Sequence, residues 1–309
     1  MLRSSPGFTL IELSIVLVII GLIVGGVLVG QNLISAAAVR AQVTQIEKYN
    51  TAANTFREKY GYLPGDIPNP FAAQFGFAAR GQYPGQGDGN GLLQGNWDNT
   101  SAGGVGNANI NGETGMFWVD LSKVNLIDGS FHTSTPTMQQ TTTSAVANYL
   151  PPAKIGQGNY VYIWSGGYVG STYTNYGSGN YYGLSAVRSI NDGTVVGPEG
   201  LTVAQANAID TKIDDGFPQT GNVIAIFLNR TGSGNFYTMW AGTGNTETYT
   251  SDNQAYTTAT PGSSTTCYDN SSAASGTPGV AGATQHYSVE ISNGSYVDCA
   301  LSFQMQAGD

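Results

Sequence analysis

Charged residues are scarce in this chain of 309 residues: Asp, Glu, Lys and Arg make up 10% of it, against about 25% of an average soluble domain. Histidine occurs only twice, and neither His132 nor His286 stands in a zinc-ligand or nucleophile pattern. The sequence has no P-loop and no Cys-x-x-Cys pair. We therefore predict that the chain is not an enzyme. A secreted enzyme whose site is assembled from scattered Asp and Ser is the least favoured alternative.

Basic residues are scarcer than acidic residues, with 11 Lys and Arg against 20 Asp and Glu. From Gly61 onward the chain holds 6 basic and 17 acidic residues, a net charge of −11. A surface with this balance repels the phosphate backbone of nucleic acids. We therefore expect no nucleic-acid partner, and DNA uptake is a disfavoured function.

Proline is also infrequent, at 12 residues, and the 43 glycines follow no Gly-X-Y period, which excludes collagen. The 18 tyrosines and 11 phenylalanines are enough to build a core, which argues against simple disorder. With so few charges, the surface must consist largely of Asn, Ser, Thr, Gln and Gly, as is more usual outside the cell. The two cysteines suit one disulfide in an oxidising compartment.

A long apolar run is present near the amino terminus. No charged residue occurs between Glu12 and Arg40, and residues 13–29 are almost purely Leu, Ile, Val and Gly. As a helix these residues span about 26 Å, close to the ~30 Å of a bilayer core. The run predicts a membrane span, or a secretory signal that is cleaved after the small residues 36–38. Glu12 argues against the signal, because a carboxylate within an apolar run is costly to insert into a membrane.

The sequence GFTLIE at residues 7–12, followed by the apolar run, resembles the cleavage and methylation motif of type IV prepilins and type II secretion pseudopilins. The resemblance covers residues 1–60 and is specific, since Gly, Phe and Glu must stand at fixed offsets. It implies that a prepilin peptidase cleaves between Gly7 and Phe8 on the cytoplasmic side and that Phe8 is then N-methylated. It also implies an assembly role for Glu12, whose carboxylate would pair with the terminal ammonium of an adjacent subunit, since either charge buried alone is costly.

The same resemblance implies an organisation for the whole chain. Residues 1–7 would be the leader, residues 8–60 a long helix with a transmembrane first half that later forms the filament core, and residues 61–309 an extracytoplasmic head. The implied partners are the prepilin peptidase, other pilin subunits, the pilus assembly machinery and the inner membrane. The precursor would lie in the bacterial inner membrane, and the processed chain in a cell-surface or periplasmic filament.

An apolar stripe continues beyond the apolar run, at spacings of three and four residues that indicate one face of a helix. It consists of Val39, Val43, Ile46, Tyr49, Ala53 and Phe56. Gln42 is assigned to the opposite, polar face, and Gly61 followed by Pro64 is a stop signal. We therefore expect residues 8–60 to form one helix whose second half packs on the head.

The head contains helix and strand candidates in an order typical of an α+β fold. Residues 113–127 have the apolar spacing of a helix, and Thr202 with Gln205 forms a capping-box pattern that predicts a second helix, ending before Gly216. Strand candidates are residues 160–164, 223–228, 236–240, 287–291 and 299–305. We expect a pilin-like fold in which the long helix packs on an antiparallel sheet, with additional helices and long loops.

One segment of the head is a candidate calcium loop. Residues 81–112 are rich in Gly, Asn and Gln and predict a long surface loop, in which Asp88 and Asn90 alternate with glycines. Calcium-binding loops often space their oxygen ligands in this way, and pseudopilins as a group use calcium in their heads. Asp88 and Asn90 are therefore candidate calcium ligands, with a plain Gly/Asn turn as the alternative. We expect no other cofactor.

A second acidic group lies where the helix after Thr202 is predicted to end. It consists of Asp210, Asp214 and Asp215. Acidic side chains oppose the macrodipole at the carboxyl end of a helix. They therefore either bind a cation or cap the following turn, and capping is the simpler interpretation.

Tyrosine is concentrated in residues 165–184, which are otherwise Gly, Ser, Thr and Asn. These rings form an adhesive face that stacks on glycans, or they pack over a sheet and line subunit contacts. The tyrosines concerned are Tyr168, Tyr173, Tyr176, Tyr181 and Tyr182.

The two cysteines, Cys267 and Cys299, enclose a loop near the carboxyl terminus. This arrangement resembles the disulfide-bounded loop that ends many type IV pilins, which implies that the two are bonded. A single pair in an exported protein is more often structural than catalytic.

These observations predict a structural subunit of a type IV pilus or pseudopilus-like filament, processed by prepilin peptidase and assembled through its amino-terminal helix. The alternatives are a minor pilin or tip adhesin that binds surfaces or glycans, and a type II secretion pseudopilin. Copy number along the filament distinguishes a major subunit from a minor one.

Overall fold

The computed structural model describes residues 9–95, 109–139, 141–166, 179–230, 236–241, 267–269, 286–290 and 292–307. Gly7 and Phe8 lie outside the described residues, as do Tyr168, Tyr173 and Tyr176. The described part combines a long amino-terminal helix with shorter helices and antiparallel strands. The predicted α+β, pilin-like layout is therefore confirmed.

Helix α1 (Leu10–Tyr60) contains 51 residues and is about 76 Å long. It begins after Thr9, whose side chain accepts a hydrogen bond from the Glu12 nitrogen while the Glu12 carboxylate accepts one from the Thr9 nitrogen. This reciprocal capping box satisfies two backbone donors that the first turn leaves free. The helix ends at Gly61, which adopts a left-handed φ of 79° and donates its N–H to the Arg57 carbonyl. Glycine takes this conformation without a steric penalty, which explains the stop.

Burial divides α1 into two parts. From Leu10 to Ile34 its large apolar side chains are 51–89% exposed. From Val39 onward one face is buried against the head, and it includes most of the predicted stripe: Val39, Ile46, Tyr49, Ala53 and Phe56. Val43 packs at the edge of the same core. The first part of α1 therefore has no partner among the described residues, whereas the second part belongs to the core of the head.

The assignment of Gln42 to the polar face is wrong, because Gln42 is fully buried and Gln45 is buried beside it. The side-chain oxygen of Gln42 accepts from the Ile155 nitrogen at 3.1 Å, and that of Gln45 accepts from the Lys154 nitrogen at 2.9 Å. The Gln45 amide nitrogen donates to the Pro152 carbonyl at 3.0 Å. These two side-chain amides hydrogen-bond to a partly buried segment of backbone, which explains why polar residues lie on the face of α1 that packs on the head.

Ten strands occur in the described residues. They are β1 (Tyr160–Ser165), β2 (Asn180–Ser185), β3 (Ser189–Asn191), β4 (Thr194–Val196), β5 (Val223–Ile224), β6 (Ile226–Arg230), β7 (Phe236–Trp240), β8 (Tyr268–Asp269), β9 (His286–Tyr287) and β10 (Leu301–Gln304). The central sheet has the order β1-β2-β10-β5, and all its pairs are antiparallel. The pairs β3–β4, β6–β7 and β8–β9 form separate two-stranded sheets.

The strands differ from the prediction in several places, and β3, β4 and β8 correspond to none of the strand candidates. Residues 223–228 divide at Ala225, so that β5 joins the central sheet and β6 pairs with β7. The candidate at 287–291 shortens to His286–Tyr287. Strand β2 was not predicted, because Asn180–Ser185 looked like part of the Tyr-rich loop. Tyr181 and Tyr182 are buried in this strand, so the packing interpretation is correct for these two tyrosines.

The described fold also contains three shorter α-helices, α2 (Phe71–Gln74), α3 (Gly112–Lys123) and α4 (Val203–Ile213), and two single-turn 3-10 helices at Val146–Asn148 and Ser292–Gly294. Helix α3 ends earlier than predicted, because Asn125 has a left-handed φ of 57° that takes the chain out of the helix. Helix α4 has the predicted capping box between Thr202 and Gln205.

Aromatic rings join α1, α3 and the central sheet. Tyr49 of α1 makes an edge contact with Trp118 of α3 at a centroid distance of 5.0 Å. Tyr182 of β2 lies 6.1 Å from both Tyr49 and Phe117. Such pairs contribute about 0.5–1.5 kcal/mol each beyond the burial of area. The core therefore includes the second half of α1 as an integral element.

Candidate functional site

The exposed part of α1 has the dimensions of a membrane span. Its most apolar stretch of 18 residues has a mean hydropathy of 2.9, and none of that stretch is buried. By length and composition this helix can cross a bilayer. An apolar helix that lacks a protein partner must be covered by lipid or by other chains.

Glu12 lies at the amino-terminal end of this exposed segment. One carboxylate oxygen, Oε2, accepts from both the nitrogen and the hydroxyl of Thr9, each at 2.8 Å. The other oxygen makes no hydrogen bond to a described residue. The side chain thus holds the first turn of the helix and leaves one oxygen for a second donor. The negative charge also complements the positive end of the helix dipole.

Asp88 of the candidate calcium loop lies in a cluster of three carboxylates. One oxygen each from Asp66, Asp88 and Glu113 lies within 4.8 Å of the others. Asp66 follows the turn at the end of α1, and Glu113 lies in the first turn of α3. Asp66 and Glu113 are buried, whereas Asp88 is exposed. Sequence reasoning identified only Asp88, because no spacing pattern connects positions so far apart in the chain.

The two buried carboxylates organise the loop that follows Tyr83. The two oxygens of Asp66 accept from the nitrogens of Gly89 and Gly91, at 2.7 and 2.8 Å. Glu113 accepts from the Gly87 nitrogen at 2.9 Å and from the Gln94 nitrogen at 2.8 Å. This part of the chain is therefore wrapped around buried acids. The prediction of one long surface loop over 81–112 is wrong for residues 85–87, 93, 95 and 109–112, which are buried.

The side chain of Asn90 stabilises the loop through hydrogen bonds to neighbouring residues. Its amide nitrogen donates to Asp88 Oδ2 at 3.0 Å, and its side-chain oxygen accepts from the Leu92 nitrogen at 2.7 Å. Both polar atoms of the Asn90 side chain thus have partners within the loop. The structure brings Asp88 together with Asp66 and Glu113 as carboxylate neighbours.

The cluster has unusual proton affinities. Burial raises the pKa of Asp66 to about 7, although the backbone N–H groups of Gly91, Gly89 and Asn90 lower it. Burial and the charge of Asp66 raise the pKa of Glu113 well above its usual range. The buried cation Arg80 is paired with Asp120. The acids must therefore take up protons or a cation to relieve their repulsion. Their all-oxygen donor set fits a hard cation such as calcium.

The second acidic group caps the turn after α4. Asp210 accepts from the Gly216 nitrogen at 3.1 Å and from the Tyr287 hydroxyl at 2.7 Å. Asp215 accepts from the Phe217 nitrogen at 2.8 Å, and Asp214 accepts from the Val223 nitrogen. Burial raises the pKa of Asp210 to about 7. These bonds confirm the capping role, and one oxygen from each of the three acids also lies within 4.8 Å of the others.

Cys267 and Cys299 form a disulfide, as the resemblance implied, with their Cα atoms 4.9 Å apart. Both residues are fully buried. Cys299 exchanges backbone hydrogen bonds with Leu201, just before α4, and the Cys267 carbonyl accepts from the Ser288 nitrogen. The disulfide therefore connects the β8–β9 pair to the segment that leads into α4.

A family model for the prokaryotic N-terminal methylation motif matches residues 2–28. Searches of curated proteins and of solved structures find no match. The matched residues include the first turn of α1 and most of its exposed apolar part. The motif implies processing by prepilin peptidase and assembly into filaments of pilin type. The chain thus has the amino-terminal motif and the α+β layout of a type IV pilin or pseudopilin precursor.

Proposed function

We propose that the chain is a structural subunit of a type IV pilus or pseudopilus-like filament, assembled through α1. The observation that carries this proposal is the division of α1, which continues without interruption from an exposed apolar half into the core of the head. In the precursor, lipid of the inner membrane covers the apolar half. In the filament, the corresponding helices of other subunits cover it, and the heads form the outer surface.

Glu12 sets the register between subunits in this proposal. After cleavage before Phe8, the new terminal ammonium of one subunit pairs with the Glu12 carboxylate of an adjacent subunit inside the apolar bundle. Loss of one partner leaves a buried, unpaired charge, which costs about 3–5 kcal/mol. The capping box supports this role, because it holds the carboxylate in a fixed position on the first turn.

Three variants separate charge pairing from helix capping. Glu12→Val removes both the charge and the cap. Glu12→Gln keeps a side chain that completes a capping box but removes the charge. Thr9→Ala weakens the cap and keeps the charge. We expect both Glu12 variants to be inserted and processed but excluded from filaments, and Thr9→Ala to assemble, as measured by subunit content of purified filaments. Normal incorporation of Glu12→Gln would reject the pairing role.

The proposed processing has its own test. Replacement of Gly7 by a bulky residue should block the peptidase, so that mass spectrometry detects the precursor with residues 1–7 still attached. The wild-type chain should begin at an N-methylated Phe8. A mature chain that begins after Ala38 would instead establish a conventional secretory signal.

Two finer roles remain alternatives to a major subunit. A minor pilin or tip adhesin would present its head to a surface or a glycan, and a secretion pseudopilin would form a short periplasmic fibre. Quantification of the chain in purified filaments separates these roles, since a major subunit is the dominant protein. Tyr181 and Tyr182 are buried in β2, which removes these two rings from the adhesive face that an adhesin would need.

We also propose that the head binds calcium through Asp88, with Asp66 and Glu113 as the buried carboxylates of the site and Asn90 supporting the loop. The proposal rests on the three convergent carboxylates and on their need for positive charge. Calcium should raise the melting temperature of the solubilised chain above its value in a chelator, and Asp88→Asn should reduce the increase. Equal melting temperatures with calcium and with chelator would show that protons alone neutralise the cluster.

A further inference from the structure

The sequence contains three Asn-Gly pairs, at Asn90, Asn111 and Asn293. Asparagine followed by glycine is the pair most prone to spontaneous deamidation, because glycine has no side chain to obstruct attack by its own nitrogen. All three pairs have the same local chemistry. Any difference between their rates in the folded protein must therefore come from the structure around them.

The structure protects two of the three pairs. Both side-chain polar atoms of Asn90 are hydrogen-bonded, and the attacking nitrogen of Gly91 donates to Asp66 Oδ2 at 2.8 Å. Asn111 is buried, and its amide donates to the Gln139 carbonyl at 2.9 Å. The nitrogen of Gly112 donates to the Thr135 carbonyl at 2.9 Å. At both positions several hydrogen bonds must break before ring closure.

Asn293 is in a different environment. Its side chain is exposed and makes no hydrogen bond to a described residue. It lies in a tight turn in which Ser292, Asn293 and Gly294 have left-handed φ values of 48°, 53° and 65°. Left-handed conformation is unfavourable for most residues with a side chain but is tolerated by Asn, so the strain in this turn lies at Ser292 and is released when the turn opens. Exposure, a free amide and local strain therefore coincide at this pair.

We propose that Asn293 is a site of spontaneous deamidation and isoaspartate formation. The nitrogen of Gly294 forms a bond to Asn293 Cγ and loses its proton, and the side-chain amide leaves as ammonia, which gives a succinimide ring. Water then opens the ring at either carbonyl, to aspartate or to isoaspartate. Both products carry a new negative charge, and isoaspartate also adds one carbon to the main chain. This inference is independent of the proposed filament function.

The modification has a structural consequence. Gly294 packs closely on the start of α4, where a Cβ on Gly294 would lie 2.8 Å from the Ala204 nitrogen. Two residues later, the Tyr296 carbonyl accepts from the Val203 nitrogen. A main chain longer by one carbon cannot keep both contacts unchanged. The isoaspartate form should therefore loosen the segment between α4 and Cys299 and distinguish aged from newly made chains.

The test measures all three pairs in one experiment. The full-length protein is incubated in detergent at mildly alkaline pH, and peptide mapping follows the mass increase of about 1 Da that converts an amide to an acid. Enzymatic methylation of isoaspartate gives a second readout. The same chain in denaturant is the control, since the three pairs should then react at similar rates. Asn293→Gln should remove the signal at this position without a new one elsewhere.

We expect Asn293 to react at least about tenfold faster than Asn90 and Asn111 in the folded chain, because their protecting hydrogen bonds raise the barrier. Similar rates for the three folded pairs would overturn the proposal. It would also be overturned if Asn293 stayed intact during a period in which the denatured chain reacts.

Discussion

Gln45 fixes the position of α1 on the head through bonds to the backbone at residues 152–154. Gln45→Ala leaves the Lys154 nitrogen and the Pro152 carbonyl without these partners at partly buried positions. A fully buried unsatisfied group costs about 1–3 kcal/mol. Because these two groups are only partly buried, we expect the free energy of unfolding to fall by about 1–3 kcal/mol in total. Chemical denaturation of the solubilised chain measures this change. Thr44→Ala, an exposed position on the same turn, is the control and should change stability by less than about 0.5 kcal/mol.

Asp210 makes the stability of the head depend on pH. Because its pKa is about 7 in the folded chain and about 3.9 when unfolded, the folded state binds more protons between these values. Stability should therefore decrease as pH rises through this window and stay low above it. The same sign applies to Asp66, whose folded pKa is also about 7. Melting temperatures in a chelator at about pH 5 and about pH 8 measure the effect.

Asp210→Asn tests this origin of the pH dependence. The Tyr287 hydroxyl, which donates to Asp210, can accept from the new amide, and the Gly216 nitrogen keeps an acceptor. The melting temperature of the wild type should fall between about pH 5 and about pH 8. We expect this fall to be about 2–4 °C smaller in Asp210→Asn, which is the shift that about 1 kcal/mol produces in a domain of this size. Asp128→Asn, at an exposed position, is the control and should leave the decrease unchanged. An unaltered decrease in Asp210→Asn would assign the pH dependence to other groups.

At the scale of elements, α1 and α4 were predictable because their signals are local. An apolar period, a glycine stop and a capping box each lie within a few residues. Strand β2 was missed because its burial depends on distant partners: it lies between β1 and β10, and its Asn, Tyr, Gly and Ser are also typical of loops. The split at Ala225 and the partners of Asp88 were missed for the same reason. Pairing between distant segments leaves no spacing pattern in one sequence.

The disulfide contributes at this scale by connecting β8–β9 to the start of α4. Its closed loop has a sequence separation of 32. Loss of the bond should lower the free energy of unfolding by about 3.7 kcal/mol in the chain-entropy model. The double variant Cys267→Ala and Cys299→Ala tests this by denaturation. Reduction of the wild-type chain should give a similar loss, and reductant should not affect the double variant. A variant as stable as the oxidised wild type would contradict a structural role.

At the scale of the whole molecule, α1 belongs to two environments that meet near residue 38. Every buried residue of α1 lies at Val39 or beyond, and the chain carries no charge between Glu12 and Arg40. The exposed half therefore contributes to membrane insertion and assembly, while the second half contributes to the fold of the head. This division explains why a chain with a strongly acidic head can also contain an uncharged apolar run.

Two truncations test this division. A chain that begins at Val39 keeps all the buried residues of α1 and should fold without detergent, with a melting temperature close to that of the solubilised full chain. A chain that begins at Gly61 loses Ile46, Tyr49 and Phe56 from the core. Each such side chain contributes about 1.5–3 kcal/mol, and their sum is comparable to the total stability of a domain, about 5–15 kcal/mol. We therefore expect the shorter chain to lack a cooperative thermal transition by circular dichroism. A cooperative transition in that chain would show that the head folds without α1.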